Sequence, residues 1–167
     1  GRGIGIIMCW EGTAHPFLNR AAYLPLHELS PEVRRAELRR PEVRQAIIDS
    51  PMMPLDDLGN FVTRSWQKMF VAEPGQTMSY EPGSERSVAA IAQRTGRSCE
   101  EVAYDALMEL EGRGTLYFPL FNYAEGSLAP QHELLRHPRT RLGLSDGGAH
   151  CGAICDGGMA TFMLTHW

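Results

Sequence analysis

The sequence predicts an α/β protein built on parallel strands. Three observations predict it: short apolar runs bounded by glycine, helix-patterned segments between them with start and stop signals, and a polar glycine-rich loop after the last run. The 167 residues suffice for one domain with a sizeable core, and 43% hydrophobic with 22% charged residues is a globular composition. The longest apolar run, Ile4 to Trp10, falls well short of the roughly 20 residues that cross a bilayer. A net charge of −4, from 16 basic and 20 acidic side chains that are interspersed, gives neither a basic stripe for nucleic acid nor an acidic tail. A small-molecule substrate is therefore expected, with no nucleic-acid or membrane partner. Four dispersed cysteines do not make a disulfide scaffold, and no signal peptide precedes Gly1, so a cytoplasmic setting is expected. The chain lacks an initiating Met and stops inside the apolar stretch Met159 to Trp167, which predicts a partial sequence.

Ile4 to Trp10 reads as a strand buried on both faces, followed by a loop over Glu11 to Arg20 in which His15-Pro16 disfavours helix. Ser30-Pro31-Glu32 supplies a cap, a proline at the first helical position and an acid at the positive end of the helix dipole. Pro41-Glu42 repeats the start, so short helices are predicted near 31–39 and 41–49. Prolines and glycines are dense between Pro51 and Ser84, and apart from a strand-like Trp66 to Val71 this stretch reads as irregular. The whole excursion, about 31–83, is expected as a helical and loop insertion. Ser87 caps a predicted helix over 88–95 that stops at Gly96, and Ser98-Cys99-Glu100-Glu101 has capping-box spacing for another to about 111. Val102, Ala103, Ala106, Leu107 and Leu110 share one face of it. Leu116 to Phe121 is a second buried strand, ended by Pro119. Ser127 to His137 is a helix with Leu128, Leu134 and Leu135 inward, and Arg141 to Leu144 is a last short strand.

Chemistry in parallel α/β folds gathers at the C-terminal ends of strands. Three segments hold that position: Glu11 to Phe17, Asn122 to Ser127, and Ser145 to Cys155. Residues 145–158 contain five glycines, two acids, a histidine and two cysteines, few of which build a core. Asp146, at a strand end before such a loop, is placed to bind a metal or move a proton. It is equally placed to cap a turn, since Asp-Gly is common there.

Leu142-Gly143-Leu144-Ser145-Asp146-Gly147-Gly148-Ala149-His150, with Thr161-Phe162 and Leu164-Thr165-His166-Trp167, resembles the last barrel strand and following helix of the N-acyl-D-amino-acid deacylase branch of the amidohydrolase superfamily. Leu116 to Ser127 and His137-Pro138-Arg139 fit that branch in the same order. The resemblance covers about residues 84–167, is weaker over 1–50, and does not extend to 51–80. It implies a (β/α)8 TIM-barrel of the metal-dependent hydrolase type, of which this chain would hold roughly the last three strands. It implies hydrolysis of a C–N amide bond, of N-acyl-D-amino acids or related amides, with one or two divalent metal ions, commonly zinc. Asp146 matches the last-strand aspartate that takes a proton from metal-bound water, passes it to the leaving amine and touches the metal.

The departures are as informative. The family's first-strand His-x-His is missing, because His15, His27, His132, His137, His150 and His166 never fall two apart. The remaining ligands are expected upstream of Gly1, so the isolated chain is expected to be inactive. His150, four residues after Asp146, and Asn122 and Tyr123, after a strand, are candidate substrate-binding residues; His15 with Glu11 is a further candidate, and His137 reads as a helix closure. Two alternatives stay open. One is a small zinc or redox site at Cys151, Cys155 and His150, although Cys-x3-Cys is not the usual zinc spacing. The other is a non-catalytic α/β module whose glycine loop binds a ligand; the chain has no Gly-x-Gly-x-x-Gly opening a helix.

Overall fold

A computed structural model describes residues 5–73, 75–76, 79–143 and 158–167. It is mixed α/β, with helices packed on a small sheet. The first strand, β1 (Gly5–Met8), comes from the predicted apolar run. Helices α1 (Leu24–His27), α2 (Pro31–Leu38), α3 (Pro41–Asp49) and α4 (Asp57–Arg64) follow, then a short strand, β2 (Phe70–Val71). Next come α5 (Val88–Thr95), α6 (Cys99–Gly112), β3 (Leu116–Pro119), α7 (Ala129–Arg136) and α8 (Met159–His166).

The starts follow the capping chemistry in the sequence. The Ser30 side chain accepts from the Val33 N–H and Ser87 from the Ala90 N–H; Gly96 closes α5 in the left-handed region, φ 67°. Ser98 and Glu101 form the reciprocal capping box of α6. Val102, Ala103, Ala106 and Leu107 are buried as the periodicity predicts, but Leu110 is 54% exposed. The helix ends before it: Glu109 is extended, and Leu110 and Glu111 take positive φ of 50° and 64°. Gly114 then passes so close to the Ala106 carbonyl that a Cβ would lie 1.9 Å from its oxygen.

The strands differ from expectation in direction. β3 lies centrally and pairs antiparallel with β1, Ile6 opposite Phe118, and antiparallel with β2, Phe70 opposite Tyr117. Alternation of strands and helices predicts parallel pairing, yet it fixes direction only where one helix crosses over between adjacent strands. Several helices and β2 separate β1 from β3, so no such crossover constrains them. The predicted last strand is also not formed at Arg141, Leu142 and Gly143, which are exposed and irregular. Leu134 is 62% exposed and Leu135 half-buried, leaving Leu128 as the buried leucine of that segment.

The excursion over 31–83 is part of the core. Leu38, Ile47, Val62 and Met69 pack in one cluster with Met8, Trp10, Leu107, Leu116 and Phe118. A second, smaller cluster joins Phe70, Tyr123 and Leu128, with Phe162 of α8 against it. Among the described residues no helix is long and apolar enough to cross a membrane.

Candidate functional site

The loop after β1 is built around a buried knot of rings. Trp10 stacks near Phe17 and Tyr23, with centroids 5.5 Å away in both cases, and meets the edge of Tyr104 at 5.2 Å. His15 is fully buried between Trp10 and Tyr23, 4.7 Å from the latter and nearly perpendicular to it. Its Nδ1 accepts the Phe17 N–H at 3.3 Å, which places the proton of the neutral ring on Nε2. Nε2 has no hydrogen-bond partner; the rings around it leave only their π faces. Burial, and then the positive charges of His27 and Arg34, push the His15 pKa down to about 3. The same burial raises Tyr23 to about 12. Glu11 does not join this group: it is exposed and pairs with Arg35 at 3.3 Å. The structure therefore separates the two candidates of the first segment, and His15 is a neutral core imidazole at neutral pH.

Composition and motif give no warning of the buried arginine that holds this loop. Arg34 donates to the carbonyls of Trp10, Leu26, His27 and Leu29. Arg20 donates to the Ile48 and Ser50 carbonyls and pairs with Glu100 at 2.9 Å. The available signal is positional: Arg34 sits four residues before Leu38 on the inward stripe of α2.

The loop after β3 is arranged differently. Asn122 is exposed, at φ 60°, a conformation that asparagine tolerates better than most residues. Tyr123 is buried, its ring 6.2 Å from that of Phe70, and its hydroxyl donates to the Pro82 carbonyl at 2.8 Å. Burial, with the carboxylates of Glu81 and Glu85, raises its pKa. The Glu81 carboxylate accepts the Leu128 N–H at 2.7 Å. Two bonds thus tie residues 81–82 to the 123–128 loop. On the other side of that segment, Tyr80 meets Phe162 of α8 edge-to-face at 5.7 Å. An open cleft of about 690 Å³ lies there, bounded by residues 79–81 and by Gly158, Thr161, Phe162, Thr165 and His166. The helix that follows the glycine-rich loop thus borders the cleft, whereas Asn122 and Tyr123 are not among its described lining. Tyr80 and Glu81 do not stand out in the sequence, because they lie in a stretch whose proline and glycine density hides periodicity.

Asp146, His150, Cys151 and Cys155 lie outside the described residues. Among the described residues no group of three or more His, Cys, Asp or Glu is placed to hold a metal ion, so those residues alone do not fit a zinc site. His137 closes α7 as expected, its Nδ1 accepting the Arg139 N–H at 3.2 Å. Compared with known proteins, the chain matches no protein-family model, no curated protein and no solved structure.

Proposed function

We propose that this chain is part of a metal-dependent hydrolase that cleaves a C–N amide bond in N-acyl-D-amino acids or related amides, within a (β/α)8 barrel of the amidohydrolase type. The observation that carries the reading is the run from Leu142 to His150 with Thr161 to Trp167 after it, which is similar to the end of the N-acyl-D-amino-acid deacylase barrel. The cleft supports it, since it adjoins α8 and is of a size that small-molecule sites share. On this reading Asp146 holds the proton of the attacking water and returns it to the departing nitrogen, and it is one ligand of a divalent metal, zinc. Among the described residues no group of three or more His, Cys, Asp or Glu could hold that ion by itself.

His150, Asn122 and Tyr123 are proposed to contact substrate. Asn122 offers an exposed amide, while Tyr123 is buried with its hydroxyl held by the Pro82 carbonyl and would reach substrate only if the loop after β3 shifts. A cytoplasmic setting is part of the proposal, as is a small amide as the partner. The test is hydrolysis of a panel of N-acyl-D- and N-acyl-L-amino acids by an intact enzyme that contains this segment, before and after removal of bound metal. Turnover of at least one N-acyl-D-amino acid that is lost on chelation and restored by zinc is expected. Turnover that survives complete metal removal, or none across the panel in metal-loaded enzyme, contradicts the reading.

A further inference from the structure

Among the described residues around the cleft beside α8, Glu81 is the acidic side chain and His166 the titratable base. Glu81 brings a carboxylate, one oxygen of which already accepts the Leu128 N–H. The rest of the described lining consists of rings, hydroxyls and small residues, with no lysine or arginine among them. The rings pack on one another at the edge of the cleft: Tyr80 stands edge-to-face to Phe162 at 5.7 Å, and His166 lies over one face of Phe162 at 4.3 Å with 20° between planes. Aromatic faces carry negative potential, and a carboxylate beside them adds to it. Among the described lining an anion meets the Glu81 charge and neither lysine nor arginine. A neutral group gains ring contact alone, and an organic cation gains ring contact, attraction to the π faces and the Glu81 charge together.

We propose that the cleft formed by Tyr80, Glu81, Thr161, Phe162, Thr165 and His166 is a binding site for an organic cation, a substituted ammonium or guanidinium group, seated on the rings with its charge toward Glu81. The inference deepens the hydrolase reading, on which the cation is the basic side chain of an N-acyl amino acid whose own carboxylate lies away from Glu81, but binding itself requires no catalysis. It also fixes a selectivity. A group of the same size and shape carrying no charge binds more weakly, and a carboxylate binds weakest.

Benzylamine, benzyl alcohol and benzoate share a ring and differ in charge, so they isolate this effect. Binding is read from the ring-proton resonances of His166 and Trp167, whose rings are 4.8 Å apart, at mildly alkaline pH and low ionic strength. Benzylamine is expected to bind about tenfold more tightly than benzyl alcohol, with benzoate weakest, and added salt narrows the gap. Glu81→Gln keeps an oxygen for the Leu128 N–H and should collapse the preference for benzylamine. Thr161→Trp, on an exposed position of α8, should block all three ligands, and Thr165→Trp is the second blocking variant should the first not fold. Equal binding of benzylamine and benzyl alcohol, tightest binding of benzoate, no binding of any, or binding unchanged in folded blocking variants overturns the proposal. Cation binding without amide hydrolysis by the intact enzyme leaves this site standing and removes the hydrolase reading. Amide hydrolysis in an enzyme that fails the benzylamine test removes this site and leaves the hydrolase reading standing.

Discussion

The knot around Trp10 and the cleft beside α8 are made of the same kinds of residue, aromatic rings with histidine and charged groups, yet they do opposite things. Around Trp10, the charges are spent inside the protein. Arg34 serves four backbone carbonyls, His15 accepts a backbone N–H, and the rings close over both. Beside α8, His166 is exposed, Phe162 is half-buried, and Glu81 binds the backbone at its edge. Residue type does not separate core from site; whether solvent reaches the polar atoms does.

The largest effect that would break this comparison is at Arg34. Arg34→Met keeps much of the apolar stem and strands four carbonyls, two of whose bonds lie at Trp10 and Leu26. A loss of about 3–5 kcal/mol in urea unfolding is expected. A loss below about 1 kcal/mol would show that water replaces the guanidinium freely and that this knot is not closed.

His15 gives the next effect, and its sign is fixed by the direction of its shift. The unfolded ring takes a proton below its ordinary value of 6.5, while the folded ring does so only near 3. The neutral ring therefore stabilises the fold fully above that ordinary value, and the contribution is lost as pH falls through the window between the two. The slope approaches about 1.4 kcal/mol per pH unit. Unfolding free energies measured down that window should fall more steeply in the parent than in His15→Leu; parallel curves would contradict a neutral, buried imidazole.

Ser98→Ala removes the capping box of α6 and should cost about 1 kcal/mol, read as a lowered Tm without a change of fold. Leu134→Ala, on the exposed face of α7, should lie within about 0.5 kcal/mol of the parent. A cost above that would mean α7 packs against more than the described contacts.

How far the sequence reveals this molecule depends on the distance over which each feature is decided. Helix starts at Ser30, Ser87 and Ser98 are legible because a cap and its N–H partner lie within three residues. The helix at Asp57 is not, although Asp56 caps it through the Gly59 N–H, because neighbouring prolines and glycines mask the pattern. Strand direction is set by segments far apart, which is why the antiparallel pairing of β1 with β3 escapes the alternation argument. The end of α6 at Glu109 is hidden for a related reason: the tight passage of Gly114 against Ala106 is a contact that periodicity does not encode. Asn122 and Tyr123 stand out by position after a strand but do not line the cleft, whereas Tyr80 and Glu81, which do, are placed by long-range ties to Tyr117, Leu128 and Phe162 that no local pattern shows.

If the chemistry rests on Asp146 while the ring knot serves only as scaffold, Asp146→Asn in an intact enzyme containing this segment is the decisive variant. An amide keeps the size of the carboxylate but neither takes the proton from water nor returns it to the leaving nitrogen. Steady-state kinetics should then show a fall in kcat of about 10²–10⁴-fold on every substrate the parent hydrolyses, with an unchanged Tm. Near-parental kcat in a folded Asp146→Asn enzyme would contradict the role given to this carboxylate.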